Sequence, residues 1–160
     1  MPLHPAVQRA TAELALVVLA GVLALALDLA VGAPPIGDDP FDVLFPPLVF
    51  AGVLWVSDRA LQGLREALPG LGAPPPGAVV DRSVRAALDT PRWWVLALVV
   101  GPALALLFDG SGAGFAAVTL ALGIIIARRR ALYRRWEREE AVELVLEGEA
   151  LYAAPLGSRA

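Results

Sequence analysis

Four apolar segments, separated by short polar or Pro/Gly-rich stretches, dominate the pattern of hydrophobic and polar positions along the chain. They span about 13–31, 43–57, 93–108 and 113–127. None reaches the roughly 20 residues that a helix needs to cross about 30 Å of hydrocarbon perpendicular to a membrane. The second becomes long enough if Pro46 and Pro47 occupy the first turn of a helix that runs from about Phe45 to Leu68. We therefore predict four membrane-spanning helices.

The spans are expected to pair as two helical hairpins. Thr90 is suited to cap the third span and Pro91 to open it, and the Gly-rich turn at 109–114 joins the third span to the fourth. The predicted fold is all-α, a membrane-embedded four-helix protein with a cytoplasmic helical C-terminal extension. Its predicted parts are a first transmembrane hairpin with its exit helix (1–68), a Pro/Gly-rich cytoplasmic linker with a short amphipathic helix (69–90), a second transmembrane hairpin (91–127) and a charged cytoplasmic tail (128–160).

Charge is distributed unevenly along the chain. Two loops are expected outside, 32–42 and 109–114, and their charged residues are all aspartates. Every arginine lies in the N-terminus, the central loop or the C-terminal segment. Short loops rich in arginine stay on the cytoplasmic side of a membrane. The charge pattern therefore predicts a multi-pass protein of the bacterial inner (cytoplasmic) membrane with both termini cytoplasmic.

Composition agrees with a membrane protein and limits the chemistry. The 160 residues are 58% hydrophobic and 18% charged, with a mean hydropathy of +0.66. The chain has no cysteine and no lysine, and its one histidine, His4, lies near an N-terminus that we expect to be frayed. Thiolate, Schiff-base and P-loop chemistry are thereby excluded, and no catalytic motif occurs. We predict a protein that is not an enzyme and that has no cofactor or metal.

Three groups of residues are candidates for function. Asp28 is an acid near the outer end of the first span, where an ionisable side chain is a functional candidate by default. We favour an interfacial carboxylate there, and the alternatives are a proton or cation relay and a helix–helix hydrogen bond. Small residues at helical spacing predict close helix packing, and the basic cluster predicts contacts with anionic lipid headgroups. The packing candidates are Ala97, Gly101, Ala105, Ala117, Ala121 and Gly123, and the headgroup candidates are Arg128, Arg129, Arg130, Arg134 and Arg135.

The charge of the C-terminal segment changes abruptly from positive to negative. Residues 128–138 hold six arginines and residues 137–149 hold six glutamates. A nucleic-acid surface is not expected, because the basic cluster lies beside equal acidity. Arg135 and Glu139 are four residues apart on a helix and are predicted to pair. The apolar-rich stretch 141–155, broken at Gly148, is compatible with a helix or with a small hairpin that turns at the glycine.

Residues 41–61 resemble the membrane-input regions of sensor histidine kinases from GC-rich bacteria. The resemblance covers at most residues 5–66 and is carried by Asp42, Leu44-Phe45, Phe50-Ala51-Gly52, Trp55 and Arg59-Ala60-Leu61. The similar helix in that family continues into a dimerisation helix, whereas here it stops at Pro69. No phospho-accepting histidine or ATP-binding domain follows, so the resemblance implies at most an input module without catalysis.

The leading functional hypothesis is a small non-catalytic integral membrane protein that acts through helix packing. Its expected partners are the lipid bilayer and either another copy of itself or a membrane-protein partner. One alternative is a sensory or signalling module without a kinase core. The other is a transport or pore component, similar to a holin, in which Asp28 would matter.

Overall fold

The structure is a computed structural model, and it describes residues 3–31, 40–83, 112–148 and 150–156. These residues form three α-helices and one antiparallel sheet with the strand order β1-β2-β3. In chain order the elements are β1 (His4–Pro5), α1 (Ala6–Val31), α2 (Pro40–Ala67), a 3-10 turn (Leu68–Gly70), α3 (Gly112–Glu140), β2 (Val142–Glu147) and β3 (Ala150–Pro155).

The sheet shows that the prediction of an all-α four-helix protein is wrong. The helical C-terminal extension ends at Glu140, and the stretch beyond it is the hairpin of β2 and β3, one of the two alternatives considered for 141–155. Valine and leucine alternate with glutamate along much of β2, which favours a strand over a helix. Gly148 has a φ of 60°, as a two-residue hairpin turn requires at its first central position.

The assignment to the inner membrane as a multi-pass protein with both termini cytoplasmic is also wrong. Among the described residues, one helical stretch, Ala6–Ala24 in α1, is long and apolar enough to cross a membrane. The runs 43–57 and 113–127 lie within α2 and α3, but charged residues follow each after about 15 residues, which is short of the roughly 20 that a span needs. The predicted span 93–108 lies outside the described residues.

The prolines of the sequence predict the end of α2 but not its start. The helix begins at Pro40 instead of about Phe45, so Pro46 and Pro47 lie inside it and do not mark its start. Its end at Ala67 is close to the predicted Leu68, where a 3-10 turn that contains Pro69 follows. The amphipathic helix expected within 69–90 lies largely outside the residues that the structure describes.

The chain divides into two compact units that each draw on separated segments. Unit 1 is drawn from Met1–Glu13, Arg59–Asp89 and Ile126–Ala160, and unit 2 from Leu14–Asp58 and Thr90–Ile125. Unit 1 contains the sheet, and its core lies on both faces of β2. Leu144 packs with Ala6, Leu68 and Tyr133, whereas Val145, the next residue, packs with Leu3 and Ala154, because successive side chains of a strand point to opposite faces.

The N-terminus is part of this core, so the expectation of fraying is wrong. Leu3 forms a parallel bridge with Val80: its N–H donates to the carbonyl of Val79 at 3.0 Å, and its carbonyl accepts the N–H of Asp81 at 2.8 Å. His4 lies in β1 opposite Leu146. Leu3 and His4 are therefore held between the hairpin and the linker after α2.

A glutamate of α3 completes the hydrogen bonding of β2. Strand β1 has two residues, which face Leu146 and Val145, and the chain then enters α1. The carboxylate Oε1 of Glu137 accepts the N–H of Leu144 at 3.0 Å, beyond the end of β1. Burial raises the pKa of Glu137 above its ordinary value, although the bond from Leu144 opposes the rise.

Candidate functional site

Small residues mark the close approach of α1 and α3 in unit 2. A Cβ placed on Gly21 would lie 3.1 Å from Oγ1 of Thr119, and one on Gly123 would lie 3.8 Å from Cγ1 of Val17. Thr119 and Ala121 are both buried. The two backbones are thus near enough at this point that a side chain on Gly21 has almost no room.

Nine large apolar side chains in the described part of unit 2 are exposed. More than half of each of these side chains is exposed: Val18, Leu19, Val22 and Leu23 on α1, Leu44, Leu48, Trp55 and Val56 on α2, and Leu120 on α3. The buried positions in the same unit are mostly small or polar. Ser57, for example, is buried and donates its hydroxyl to the carbonyl of Leu54 at 2.9 Å. Among the described residues of unit 2, these nine large apolar side chains are therefore exposed, whereas five of the six buried residues are small or polar and Val17 is the exception.

The structure describes only some of the predicted packing residues. Ala121 and Gly123 lie on α3 where it meets α1. Ala117 and Asp28 lie in α3 and α1, but their side chains are not among those described, so the role suggested for Asp28 stays a prediction. Ala97, Gly101 and Ala105 lie outside the described residues.

Unit 1 contains a cleft of about 220 Å³ between the first turns of α1, the middle of α3 and the β2–β3 turn. Its lining combines charged, aromatic and small apolar groups. The lining residues are Ala6, Arg9, Ala10, Glu13, Arg129, Tyr133, Leu146 and Gly148.

Two guanidiniums flank one carboxylate in this cleft. Oε1 of Glu13 accepts a hydrogen bond from Nε of Arg9 at 3.3 Å, and Oε2 accepts one from Nη2 of Arg129. Arg9 also donates from Nη1 to the carbonyl of Gly148 at 3.2 Å. The cluster therefore retains one net positive charge.

One donor in the cluster has no acceptor. Nε of Arg129 is buried and makes no hydrogen bond to any described group, although Nη2 of the same guanidinium is paired with Glu13. A buried donor left unpaired costs about 1–3 kcal/mol. Arg129, which lines the cleft, thus has an unused N–H that is shielded from solvent, in a cluster whose positive charge is only partly compensated.

Tyr133 forms part of the wall. It is buried, and burial raises the pKa of its phenol above the ordinary value, while the positive charge of Arg129 opposes part of that rise. The phenol therefore remains protonated at neutral pH and can donate a hydrogen bond.

The remaining arginines predicted to contact lipid headgroups lie along α3. Nε of Arg130 donates to the hydroxyl of Thr11 at 2.8 Å. Arg135 and Glu139 form the predicted pair, with 2.7 Å between Nε and Oε1. Arg128 and Arg134 are exposed on the same helix. Headgroup binding by these arginines stays a prediction.

The sequence analysis did not identify the cleft, although the sequence contains two spacings that point to it. Arg9 and Glu13 are four residues apart, as are Arg129 and Tyr133, so each pair shares a helix face. The pairing of Arg129 with Glu13 joins residues 116 positions apart, which no local pattern specifies. Within the described part of the chain, no group of three His, Cys, Asp or Glu side chains lies close enough to hold a metal ion.

No protein-family model, curated protein or solved structure is significantly similar to this chain.

Proposed function

We propose that this protein is a small non-catalytic membrane protein, anchored by α1, that acts through helix packing with itself or with a partner. The observation that carries the proposal is the polarity of the described residues of unit 2, where nine large apolar side chains are exposed and every buried residue except Val17 is small or polar. Lipid chains are as apolar as leucine, so helix contacts in a membrane depend on small residues and hydrogen bonds. Gly21 against Thr119 is a contact of this kind.

The exposure of α1 supports a role as the anchor. Only 22% of its apolar window, Ala6–Ala24, is buried, whereas the core helix of a water-soluble protein is mostly buried. Removing one large aliphatic side chain from water is worth about 1.5–3 kcal/mol. The exposed row of Val18, Leu19, Val22 and Leu23 therefore favours an apolar environment strongly.

The exposed stripe on α2 supports the packing role. Leu44, Leu48 and Trp55 are spaced by four and seven residues, so they lie along one side of the helix. Each is more than half exposed. A stripe of this spacing is suited to pack against one further helix.

The anchor can be tested by alkaline carbonate extraction of membranes from cells that express the full chain. We expect the protein to remain in the membrane pellet. Leu19→Arg should increase the extracted fraction by about tenfold, because arginine near the centre of a span costs about 2.5–3.5 kcal/mol. Leu156→Arg is the matched control, since Leu156 is similarly exposed but lies in unit 1. A wild-type chain that is monodisperse without detergent would contradict the proposal.

The packing role can be tested with single cysteines, because the chain has none of its own. We expect Leu48→Cys, labelled with a benzophenone maleimide in native membranes, to photo-crosslink to a dimer or to a heavier partner adduct. Ala60→Cys is the control, since it is exposed on the same helix about 120° away from Leu48. Equal crosslinking from both positions would rule out packing through this stripe.

A further inference from the structure

The cleft of unit 1 contains unused hydrogen-bonding capacity that the helix-packing role does not explain. Nε and Nη2 of a guanidinium lie on one edge and present two nearly parallel N–H bonds, which match two oxygens of one anion. Glu13 uses only the Nη2 donor of this edge in Arg129. The Nε donor is buried and unpaired beside it.

Charge and size point to the same kind of ligand. Two guanidiniums and one carboxylate leave the cluster with one positive charge, which a singly charged anion would neutralise. The volume of about 220 Å³ corresponds to roughly seven water molecules at about 30 Å³ each. This is room for a tetrahedral anion that carries an ester substituent.

A tetrahedral oxyanion suits the donors better than a second carboxylate. Its oxygens point in several directions, so two of them can take the Nε and Nη2 edge of Arg129 while another faces Arg9, the second arginine of the lining. Tyr133 also lines the cleft and brings a phenol that stays protonated. Guanidinium groups recognise phosphate through such paired, charge-assisted bonds.

We propose that the cleft formed by Arg9, Glu13, Arg129 and Tyr133 binds one phosphate group, which takes the Nε and Nη2 edge of Arg129 in place of the Glu13 carboxylate. The phosphate group belongs either to a free phosphate or to the headgroup of an anionic lipid. The cleft residues of α1 lie in its first turns, at the start of the proposed anchor Ala6–Ala24 and before the exposed apolar row of unit 2. The proposal therefore does not depend on what that row contacts.

Isothermal titration calorimetry on the full chain in a non-ionic detergent at low salt tests this. One arm uses inorganic phosphate, and the other uses dihexanoyl phosphatidylglycerol below its micellar concentration. We expect one equivalent to bind in at least one arm. Binding of inorganic phosphate identifies free phosphate as a sufficient ligand, and binding of the lipid alone identifies the headgroup.

Three variants make the test specific to the cleft. Arg129→Gln should weaken binding by about tenfold or more, because it removes the paired donors. Glu13→Gln should tighten binding, because it removes the competing carboxylate and raises the net charge of the cluster. Arg134→Gln is the control: it removes the same charge from α3 outside the cleft, and it should change the affinity by less than about twofold.

The absence of binding in both arms would overturn the proposal, as would equal weakening by Arg129→Gln and Arg134→Gln. If circular dichroism shows that Arg129→Gln does not fold, the affinity of Glu13→Gln tests the proposal instead, because this variant keeps both guanidiniums. Failure of Glu13→Gln to tighten binding would then overturn the proposal. A protein that fails the carbonate extraction but binds phosphate in this way would separate the cleft from the membrane role.

Discussion

Ala141 is the residue at which α3 gives way to β2, and it has a φ of 53°. This left-handed conformation places the Cβ of an L-residue too close to the following carbonyl oxygen, at a cost of about 1–2 kcal/mol. Glycine usually occupies this position after a helix because it has no Cβ. The sharp turn that returns the chain onto the sheet is therefore made by a strained alanine.

Replacing Ala141 by glycine should stabilise the protein. Relief of the strain exceeds the extra entropy of the unfolded chain, which is about 0.4–1 kcal/mol, so we expect a net gain of about 0.5–1 kcal/mol in the free energy of unfolding. Chemical denaturation followed by circular dichroism measures it. Ala131→Gly, at an exposed position inside α3, should instead cost about 1 kcal/mol. A loss of stability in Ala141→Gly would show that the left-handed backbone is not a strained feature.

The contact between α1 and α3 depends on the absence of a side chain at Gly21. We expect Gly21→Ala to destabilise the protein, because the new methyl would lie 3.1 Å from Oγ1 of Thr119 and both Thr119 and the nearby Ala121 are buried. Crowding of this kind costs about 1–3 kcal/mol. Thermal denaturation in detergent measures the loss. Gly52→Ala is the matched control: a Cβ there meets nothing within 4 Å, so it should stabilise the protein by about 0.4–1 kcal/mol.

A double variant separates crowding from a general effect of alanine. Adding Thr119→Ala removes the oxygen that the new methyl would meet. If crowding is the cause, Gly21→Ala should cost less in the Thr119→Ala background than in the wild type. Equal costs in both backgrounds would contradict the close approach of α1 and α3.

The elements differ in how far the sequence specifies them. The apolar run of α1 and the break at Pro69 are local signals, so a long first helix and the end of α2 could be predicted. The sheet could not, because β1 has only two residues and one of them is Pro5, and a strand of that length has no periodicity of its own. Gly148 marked a turn, but the choice between a hairpin and a helix depends on the burial of Leu144 and Val145 by distant segments.

In the candidate site too, local contacts could be predicted from the sequence and tertiary contacts could not. The pair of Arg9 and Glu13 is local, since its members are four positions apart along α1, and such pairs can be recognised in a sequence. The hydrogen bond from Arg129 to Glu13 is a tertiary contact. It forms only because the fold places the start of α1 beside α3, so the sequence alone does not reveal it. Arginines that the charge pattern assigned collectively to lipid headgroups therefore have different partners: Glu13 for Arg129, Thr11 for Arg130 and Glu139 for Arg135.

At the scale of the molecule, unit 1 is assembled from three separated segments, and Leu144 lies where they meet. It is fully buried and packs with Ala6 from the first segment, Leu68 from the second and Tyr133 from the third. Shortening this side chain should loosen the contacts among all three segments at once. The expected cost of Leu144→Ala is about 2–5 kcal/mol in the free energy of unfolding, the usual range for a buried leucine.

The rate of trypsin cleavage after Arg82 measures this loss of stability. Arg82 lies in the second segment and pairs with Glu143 of β2, with 2.6 Å between Nη2 and Oε2. While unit 1 is assembled, this pairing and the bridge between Leu3 and Val80 hold the linker against the sheet. Leu144→Ala should speed the cleavage by roughly tenfold or more, since each 1.4 kcal/mol of destabilisation raises the open population about tenfold. Leu156→Ala, at a largely exposed position just after β3, should leave the rate nearly unchanged. Equal rates in the two variants would mean that the linker is held by its own local contacts and not by the shared core.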